Sequence, residues 1–119
     1  MNVTVADFAS DRTIFNITHT NVDELENKLN LFFNSEGYAY KGERAVGRLY
    51  TKGNQFLRII LGALWKYFRV YVEIKNQGDL YSVLLQRDAS GFMGGAIGMV
   101  QVRNEFARLT EAFKLYLDR

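Results

Sequence analysis

The hydrophobic pattern of this sequence is clearest near its C-terminal end, where large apolar residues recur at every third or fourth position. The stripe consists of Met99, Val102, Phe106, Leu109, Phe113, Tyr116 and Leu117. This spacing predicts an amphipathic α-helix with one buried side. The opposite side carries charges of alternating sign, at Glu105, Arg108, Glu111 and Lys114. Such charges predict a solvated face with weak ion pairs. Because burying each large apolar side chain contributes about 1.5 to 3 kcal/mol, we expect a sheet beneath this helix.

A second helix is predicted earlier in the chain, after a short strand. Residues 13–18 are mainly β-branched and aromatic, which is typical of a strand. Asn21 and Glu24 have the spacing of a capping box, so we expect a helix to begin there. Gly37 is expected to end it in the left-handed conformation. The predicted apolar face consists of Val22, Leu25, Leu29 and Phe32.

Strict alternation in the second half of the chain predicts an antiparallel hairpin. Residues 66–75 form its first strand. Its buried side is predicted to carry Phe68, Val70, Val72 and Ile74, and its other side Tyr67, Arg69, Tyr71, Glu73 and Lys75. Residues 76–79 are turn-forming, so residues 80–87 are expected to return as the antiparallel partner.

Other segments have weaker patterns. Residues 38–52 predict one or two extended segments, with Gly42 and Gly47 at bulges or a bend. Within this segment Tyr40, Arg44, Val46, Arg48 and Tyr50 all stand at even-numbered positions, as residues on one face of a strand do.

Residues 56–65 carry one charge and fit either a buried strand or a short helix. Residues 1–12 are expected to be a loosely held N-terminus, with a short edge strand as the alternative.

The length and composition predict a single domain spanning residues 1–119, large enough to fold without disulfides or metals. The absence of cysteine excludes a disulfide framework, thiolate metal sites and thiol catalysis. Neither a signal peptide nor a membrane-spanning segment is expected from the hydropathy pattern. We therefore expect a cytoplasmic protein.

The order of elements predicts an α+β fold, in which a long C-terminal helix packs across one face of an antiparallel sheet. From about residue 13 to residue 117 this order resembles the TBP-like and helix-grip architectures, in which a curved sheet wraps such a helix. Residues 62–74, through Trp65-Lys66-Tyr67-Phe68-Arg69-Val70, and residues 90–98, before Glu105-Phe106, also resemble small uncharacterised bacterial domains of this kind. The resemblance implies a fold and no known activity.

Catalytic and metal-binding patterns are not found in the sequence. His19 is the single histidine, and its position between a strand and a helix predicts a polar turn residue. The glycine-rich loop at residues 90–98 fits neither the dinucleotide nor the P-loop fingerprint. Glycines there are expected to let the backbone approach the sheet closely. We expect no enzyme activity, no cofactor and no metal.

The middle third of the chain is basic. The formal charge is −4 over residues 1–36, +6 over residues 37–69 and zero over residues 70–119. Cations and tyrosines interleave there at Tyr40, Lys41, Arg44, Arg48, Tyr50 and Lys52. Such residues suit a surface that binds nucleic acid or an anionic membrane. They equally suit an ordinary solvated sheet edge, so both interpretations stay open.

Two stretches with few charges favour a different function. Residues 56–65 and 89–102 carry only Arg58, and contain more large apolar residues than one helix stripe and one sheet face bury. We therefore predict a non-enzymatic binding module. It would take an apolar or amphipathic small ligand between the sheet and the last helix, or a protein partner through apolar loops. The predicted contact residues are Phe56, Trp65, Phe92, Met93, Gly94 and Gly95.

The apolar loop makes self-association, or contact with another protein, a testable prediction. We expect Phe92→Asp and Met93→Asp to weaken it, because each places a carboxylate in an apolar interface. Sedimentation velocity or light scattering measures the effect. A wild-type protein that stays monomeric at high concentration, with both side chains buried in its own core, would contradict the prediction.

Overall fold

The computed structural model describes residues 1–53, 67–87 and 95–118 of the chain. These residues form one curved sheet of six antiparallel strands and two helices, which confirms the predicted α+β class. The elements in chain order are β1 (Asn2–Phe8), β2 (Arg12–Thr18), α1 (Val22–Ser35), β3 (Ala39–Arg44), β4 (Gly47–Gly53), β5 (Tyr67–Asn76), β6 (Tyr81–Arg87) and α2 (Gly95–Leu117). The strand order is β1-β2-β6-β5-β4-β3. The connection through α1 therefore links β2 to the far edge of the sheet.

Helix α1 begins and ends as its sequence predicts. The Asn21 side chain accepts a hydrogen bond from the backbone N–H of Glu24 at 2.9 Å. At the other end Gly37 has φ +86°, and the N–H of Tyr38 donates to the carbonyl of Phe33 at 2.8 Å. A left-handed residue followed by this bond is a Schellman-type stop, which glycine adopts without steric cost.

The buried side of α1 differs slightly from the predicted stripe. It consists of Leu25, Leu29, Phe32 and Phe33. Val22, which was predicted to be on this side, is the first residue of the helix and is exposed. Phe33 takes its place in the core, so the buried side is richer in aromatic area than the spacing alone indicates.

The β5–β6 hairpin confirms the predicted alternation. Val70 and Val72 are buried, whereas Tyr71 and Glu73 on the opposite face are partly exposed. Ile74 lies opposite Val83 of β6, in register with the buried face. Directly opposed residues share a face of the sheet, so the hairpin presents one apolar side to the helices.

The β3–β4 hairpin carries a bulge that changes the predicted parity. Tyr40 lies opposite Tyr50, but the register then shifts by one residue before Glu43 lies opposite Arg48. Arg44 therefore does not share a face with Arg48 although the two have the same parity in the sequence, because the inserted residue moves Glu43 to that face. The prediction of a bulge at this position is confirmed.

At the other side of the sheet, the alternative of an N-terminal edge strand is confirmed. β1 pairs with β2 from Asn2 opposite Thr18 to Phe8 opposite Thr13. Most residues of β1 are exposed, since neither helix covers this edge of the sheet completely.

The hydrophobic core lies between the sheet and both helices and is dominated by aromatic rings. Phe113 of α2 contacts Phe15 of β2 edge-to-face, with ring centroids 5.3 Å apart, and contacts Phe32 of α1 at 5.0 Å. Phe33 of α1 stacks on Tyr50 of β4 at 4.2 Å. One cluster of rings thus joins the two helices to the sheet.

Helix α2 confirms most of its predicted apolar stripe. The buried members are Val102, Phe106, Leu109, Phe113 and Leu117, and Tyr116 is partly buried against the core. The side chain of Met99 lies outside the described residues. The helix begins at Gly95, so the last part of the predicted glycine loop is its first turn, and this boundary prediction is wrong.

The solvated, weakly paired face predicted for α2 is also wrong at Glu105, whose side chain is only 12% exposed. Its carboxylate accepts two hydrogen bonds from Arg108, both at 2.9 Å, and one from the Tyr38 hydroxyl at 2.6 Å. Arg108 also pairs with Glu36 at 2.6 Å. These bonds fasten α2 to the end of α1 and the start of β3.

Burial and charge act against each other in this network. Burial alone would raise the pKa of the Glu105 carboxyl, but the hydrogen bonds from Arg108 and Tyr38 outweigh it and lower the pKa. Burial and the adjacent carboxylate raise the pKa of the Tyr38 hydroxyl. Glu105 is therefore ionised and Tyr38 protonated at neutral pH.

We predict that Phe106→Ala lowers the free energy of unfolding by about 3 to 5 kcal/mol, because the side chain is buried and its loss leaves a cavity. Denaturant unfolding measures the change. Val100→Ala on the exposed part of the same helix is the matched control, with an expected effect within about 0.5 kcal/mol. Equal effects of the two variants would contradict the assignment of the buried face.

We also predict that Glu105→Gln destabilises the protein by about 1 to 3 kcal/mol at pH 7, because it weakens charge-assisted hydrogen bonds. The pKa of Glu105 is lower in the folded chain than its ordinary value of 4.5. Its contribution is therefore complete above that value and is lost as the pH falls through the lower, folded value. Urea unfolding of wild type and variant should converge at acid pH. A difference that is constant with pH, or equally large for exposed Glu111→Gln, would refute the role of the charge.

Candidate functional site

The predicted apolar contact set lies mostly outside the described residues. This applies to Phe56, Trp65, Phe92, Met93 and Gly94. Gly95 is described, and it is the first residue of α2. The question whether residues 56–65 form a strand or a helix also falls outside the described part of the chain.

The basic, tyrosine-rich set divides between two environments. Four of its members lie on the helix-facing side of the sheet, at Tyr40, Arg48, Tyr50 and Lys52. This placement follows from the register, in which Arg48 lies opposite buried Val72 and Lys52 lies opposite buried Phe68. The other two members, Lys41 and Arg44, are exposed.

Arg48 is held by an internal network. Its guanidinium lies over the Tyr40 ring, 4.5 Å from the centroid, and donates to the Tyr50 hydroxyl at 3.2 Å and to the Asn30 side chain at 3.0 Å. Tyr50 donates to the same Asn30 oxygen at 2.6 Å. Burial raises the pKa of the Tyr50 hydroxyl, although the bond from Arg48 opposes the shift. These residues bind α1 to β4 rather than presenting cations to solvent.

Lys52 also faces inward, toward the carboxylate that anchors α2. Its ammonium lies 3.9 Å from Glu105 and 5.6 Å from the centre of the Tyr38 ring. Arg44, in contrast, is exposed, and its guanidinium donates to the carbonyl of neighbouring Glu43, at 3.0 Å. Of the four cations in the predicted basic surface, Lys41 and Arg44 of β3 are therefore the exposed ones, whereas Lys52 is partly exposed.

A cavity of about 310 Å³ lies between the β1–β2 turn and α2. Its lining residues are Phe8, Ala9, Ser10, Arg103, Asn104, Phe106 and Ala107. Its volume is at the lower end of the range typical of small-molecule sites. The lining combines an apolar wall with three side chains that can form hydrogen bonds.

The turn that forms one wall of the cavity is fixed by hydrogen bonds. The N–H of Ala9 donates to the carbonyl of Arg12 at 2.8 Å. Arg87, at the end of β6, donates from Nε to the carbonyl of Ser10 at 2.9 Å, and from its backbone N–H to the carbonyl of Asp11 at 3.0 Å. The opposite wall is regular helix. Both walls are therefore held by hydrogen bonds within the chain.

Two lining residues, Phe8 and Arg103, have side chains that are not needed for the packing of the fold. The Phe8 side chain is 61% exposed although it belongs to a strand. Arg103 is exposed and forms no ion pair or hydrogen bond with the part of the chain that the structure describes. An apolar ring and an available guanidinium thus lie at one opening.

The sequence contains no direct signal for this cavity. Its two walls are separated by more than ninety positions, and each lining residue is ordinary for its element. Phe8 in an otherwise small, β-branched strand is the one residue whose size is unexplained by the predicted core. The sequence predicts only a loosely held N-terminus at this position.

Residues of other reactive kinds add no further site within the described part of the chain. His19 is exposed in the β2–α1 turn at φ +59°, which confirms its predicted position. Among residues 1–53, 67–87 and 95–118, no three His, Cys, Asp or Glu side chains are grouped so that they could hold a metal. Neither described helix is both long and apolar enough to cross a membrane.

No protein-family model matches this sequence, and none of the curated proteins is significantly similar to it. The assignment of function therefore depends on the geometry of the described residues.

The two arginines of the basic set should respond differently to truncation. We predict that Arg48→Ala lowers the free energy of unfolding by about 1.5 to 3 kcal/mol, since it removes charged hydrogen bonds that hold α1 to β4. Arg44→Ala, its matched control, should change stability by less than about 0.5 kcal/mol. Denaturant unfolding checks both. Similar small effects for the two variants would show that Arg48 has no structural role.

Proposed function

We propose that this protein is a non-enzymatic binding module whose cavity between the β1–β2 turn and α2 takes an apolar or amphipathic small ligand. The observation that carries the proposal is a cavity of about 310 Å³ with preformed walls and a mixed lining. Small-molecule sites are commonly concave, mostly apolar and equipped with a few polar groups that set orientation.

The lining indicates how such a ligand would be oriented. Phe8, Phe106 and Ala107 supply apolar surface for an alkyl chain or a ring. Arg103 and Asn104 supply donors for an acidic or hydroxyl head group. Since Arg103 is exposed, its charge lies near solvent, where a ligand's polar end can remain hydrated.

The alternative, binding of nucleic acid or an anionic membrane, has less support. Lys41 and Arg44 are exposed cations at the β3 edge. However, Arg48 and Tyr50 are engaged with Asn30 and face the helix side. Stacking and phosphate contacts by these two residues would require their internal network to open.

The membership of the TBP-like or helix-grip group, a cytoplasmic location and a protein partner are further parts of this proposal. The single curved antiparallel sheet with a long C-terminal helix supports the first of these. Exposed apolar side chains such as Phe8 and Val5 support contact with a partner.

A titration followed by two-dimensional ¹H–¹⁵N NMR tests the proposed site, with sodium octanoate as an amphipathic anion and 1-octanol as its neutral analogue. We expect chemical-shift changes at the amides of Ser10, Asn104 and Ala107. Ala107→Trp should abolish them, because the indole fills the cavity. Arg103→Gln should weaken octanoate at least about fivefold and leave 1-octanol nearly unchanged, since only octanoate carries a charge.

Leu115→Trp, an exposed position later in the same helix, is the matched control and should bind both probes like wild type. Shifts confined to other parts of the chain, or binding unaffected by Ala107→Trp, would contradict the proposed site. Shifts centred on Lys41 and Arg44, seen with an oligonucleotide and abolished by salt, would instead favour the alternative.

A further inference from the structure

The two edges of the sheet differ in their protection against pairing with another strand. An edge strand presents unpaired N–H and C=O groups that can recruit a further strand. The β3 edge carries the charged residues Lys41, Glu43 and Arg44. It also contains the bulge after Tyr40, where Gly42 adopts φ +96°. Charges and bulges are the features by which natural sheets block such pairing.

The β1 edge lacks both features over its first half. Residues 2–5 carry no charge, and three of them are β-branched. They pair regularly with β2, from Asn2 opposite Thr18 to Val5 opposite Phe15. The β1 bulge comes after Val5, and the one charged residue of the strand, Asp7, lies beyond it, 3.5 Å from Arg12.

The helices cover this edge only in part. Val5 lies on the helix-facing side, opposite Phe15, but is 40% exposed where Phe15 is completely buried. Residues 2–5 therefore combine a row of edge backbone groups that pair with no other described strand and the partly exposed side chain of Val5. An extended strand paired with β1 would hydrogen-bond to these backbone groups and cover the exposed apolar surface.

We propose that residues 2–5 pair antiparallel with the same residues of a second copy of this chain, with Thr4 at the two-fold axis. In this register Thr4 lies opposite Thr4, and Val3 lies opposite Val5 of the other copy. Val3 and Val5 are both on the helix-facing side, opposite Ile17 and Phe15, so the faces of the two sheets match. The arrangement joins the two sheets into one continuous sheet.

A second copy fits this edge better than an unrelated charged peptide. The opposed pairs are β-branched and uncharged, and cross-strand pairs of this kind are favourable. A two-fold axis at Thr4 uses the β1 edge of both copies. The edges that remain are the two protected β3 strands, so assembly ends at the dimer.

Charge substitution at Thr4 tests the register directly. Thr4 is exposed and lies opposite Asn16, away from the core, so its substitution leaves the fold intact. By sedimentation velocity over a concentration series, we expect wild type to dimerise. Thr4→Lys and Thr4→Glu should each dimerise roughly tenfold or more weakly, because like charges meet at the axis. An equimolar mixture of these two variants should recover a dimer.

Ala39→Lys, at an exposed position of the opposite edge, is the control and should dimerise like wild type. A wild-type chain that is monomeric throughout the series would overturn the proposal. So would a dimer that Thr4→Lys leaves intact, or one that only Phe92→Asp disrupts. Circular dichroism of each variant verifies that the chain is folded.

Discussion

Phe113 is the residue at which all parts of the core meet. Its ring contacts Phe15 on the sheet and both Phe32 and Phe33 on α1, while its own backbone belongs to α2. Edge-to-face and tilted rings of this kind add specific geometry to the burial of apolar area. Each helix therefore packs partly on the sheet and partly on the other helix. The position of each helix depends on both contacts.

Polar residues at the rim of this core hold the same three parts together. The Tyr50 hydroxyl meets Asn30 of α1, and the Tyr38 hydroxyl meets Glu105 of α2. In each case the ring is buried and the hydroxyl reaches a partner near the surface, as buried tyrosines generally require. The basic segment of the sequence contributes Arg48 and Lys52 to these networks, so much of its charge serves the fold.

The local features of the fold could be predicted from the sequence, because their causes are close in the chain. The cap at Asn21 and the alternation of β5 depend on residues within a few positions, and both are confirmed. The face of the sheet on which Arg44 lies depends on a one-residue bulge in β3, and the burial of Glu105 depends on Tyr38, which is 67 residues away. Periodicity carries no information about such partners.

The candidate site could not be predicted from the sequence for the same reason. Phe8 and Arg103 meet across a cavity only because β1 lies at the sheet edge that α2 passes. The predicted contact residues belong to stretches of the sequence with few charges, and apart from Gly95 they lie outside the described residues. The hydrophobic pattern of a sequence indicates which residues are buried. A cavity, in contrast, forms where neighbouring elements do not pack closely, and the pattern does not show where that happens.

The pairing of β2 with β6 also constrains how the chain reaches its native state. Ile17 lies opposite Tyr81 and Arg12 opposite Gln86, whereas β3 to β6 are joined as successive hairpins. Local hairpins close short loops, but the β2–β6 ladder closes a loop of 64 residues or more, with a correspondingly larger entropic cost. Among the described strand pairs this ladder therefore carries the largest loop-closure cost, and β1 and β2 have no complete sheet to join until the chain has been synthesised beyond β6.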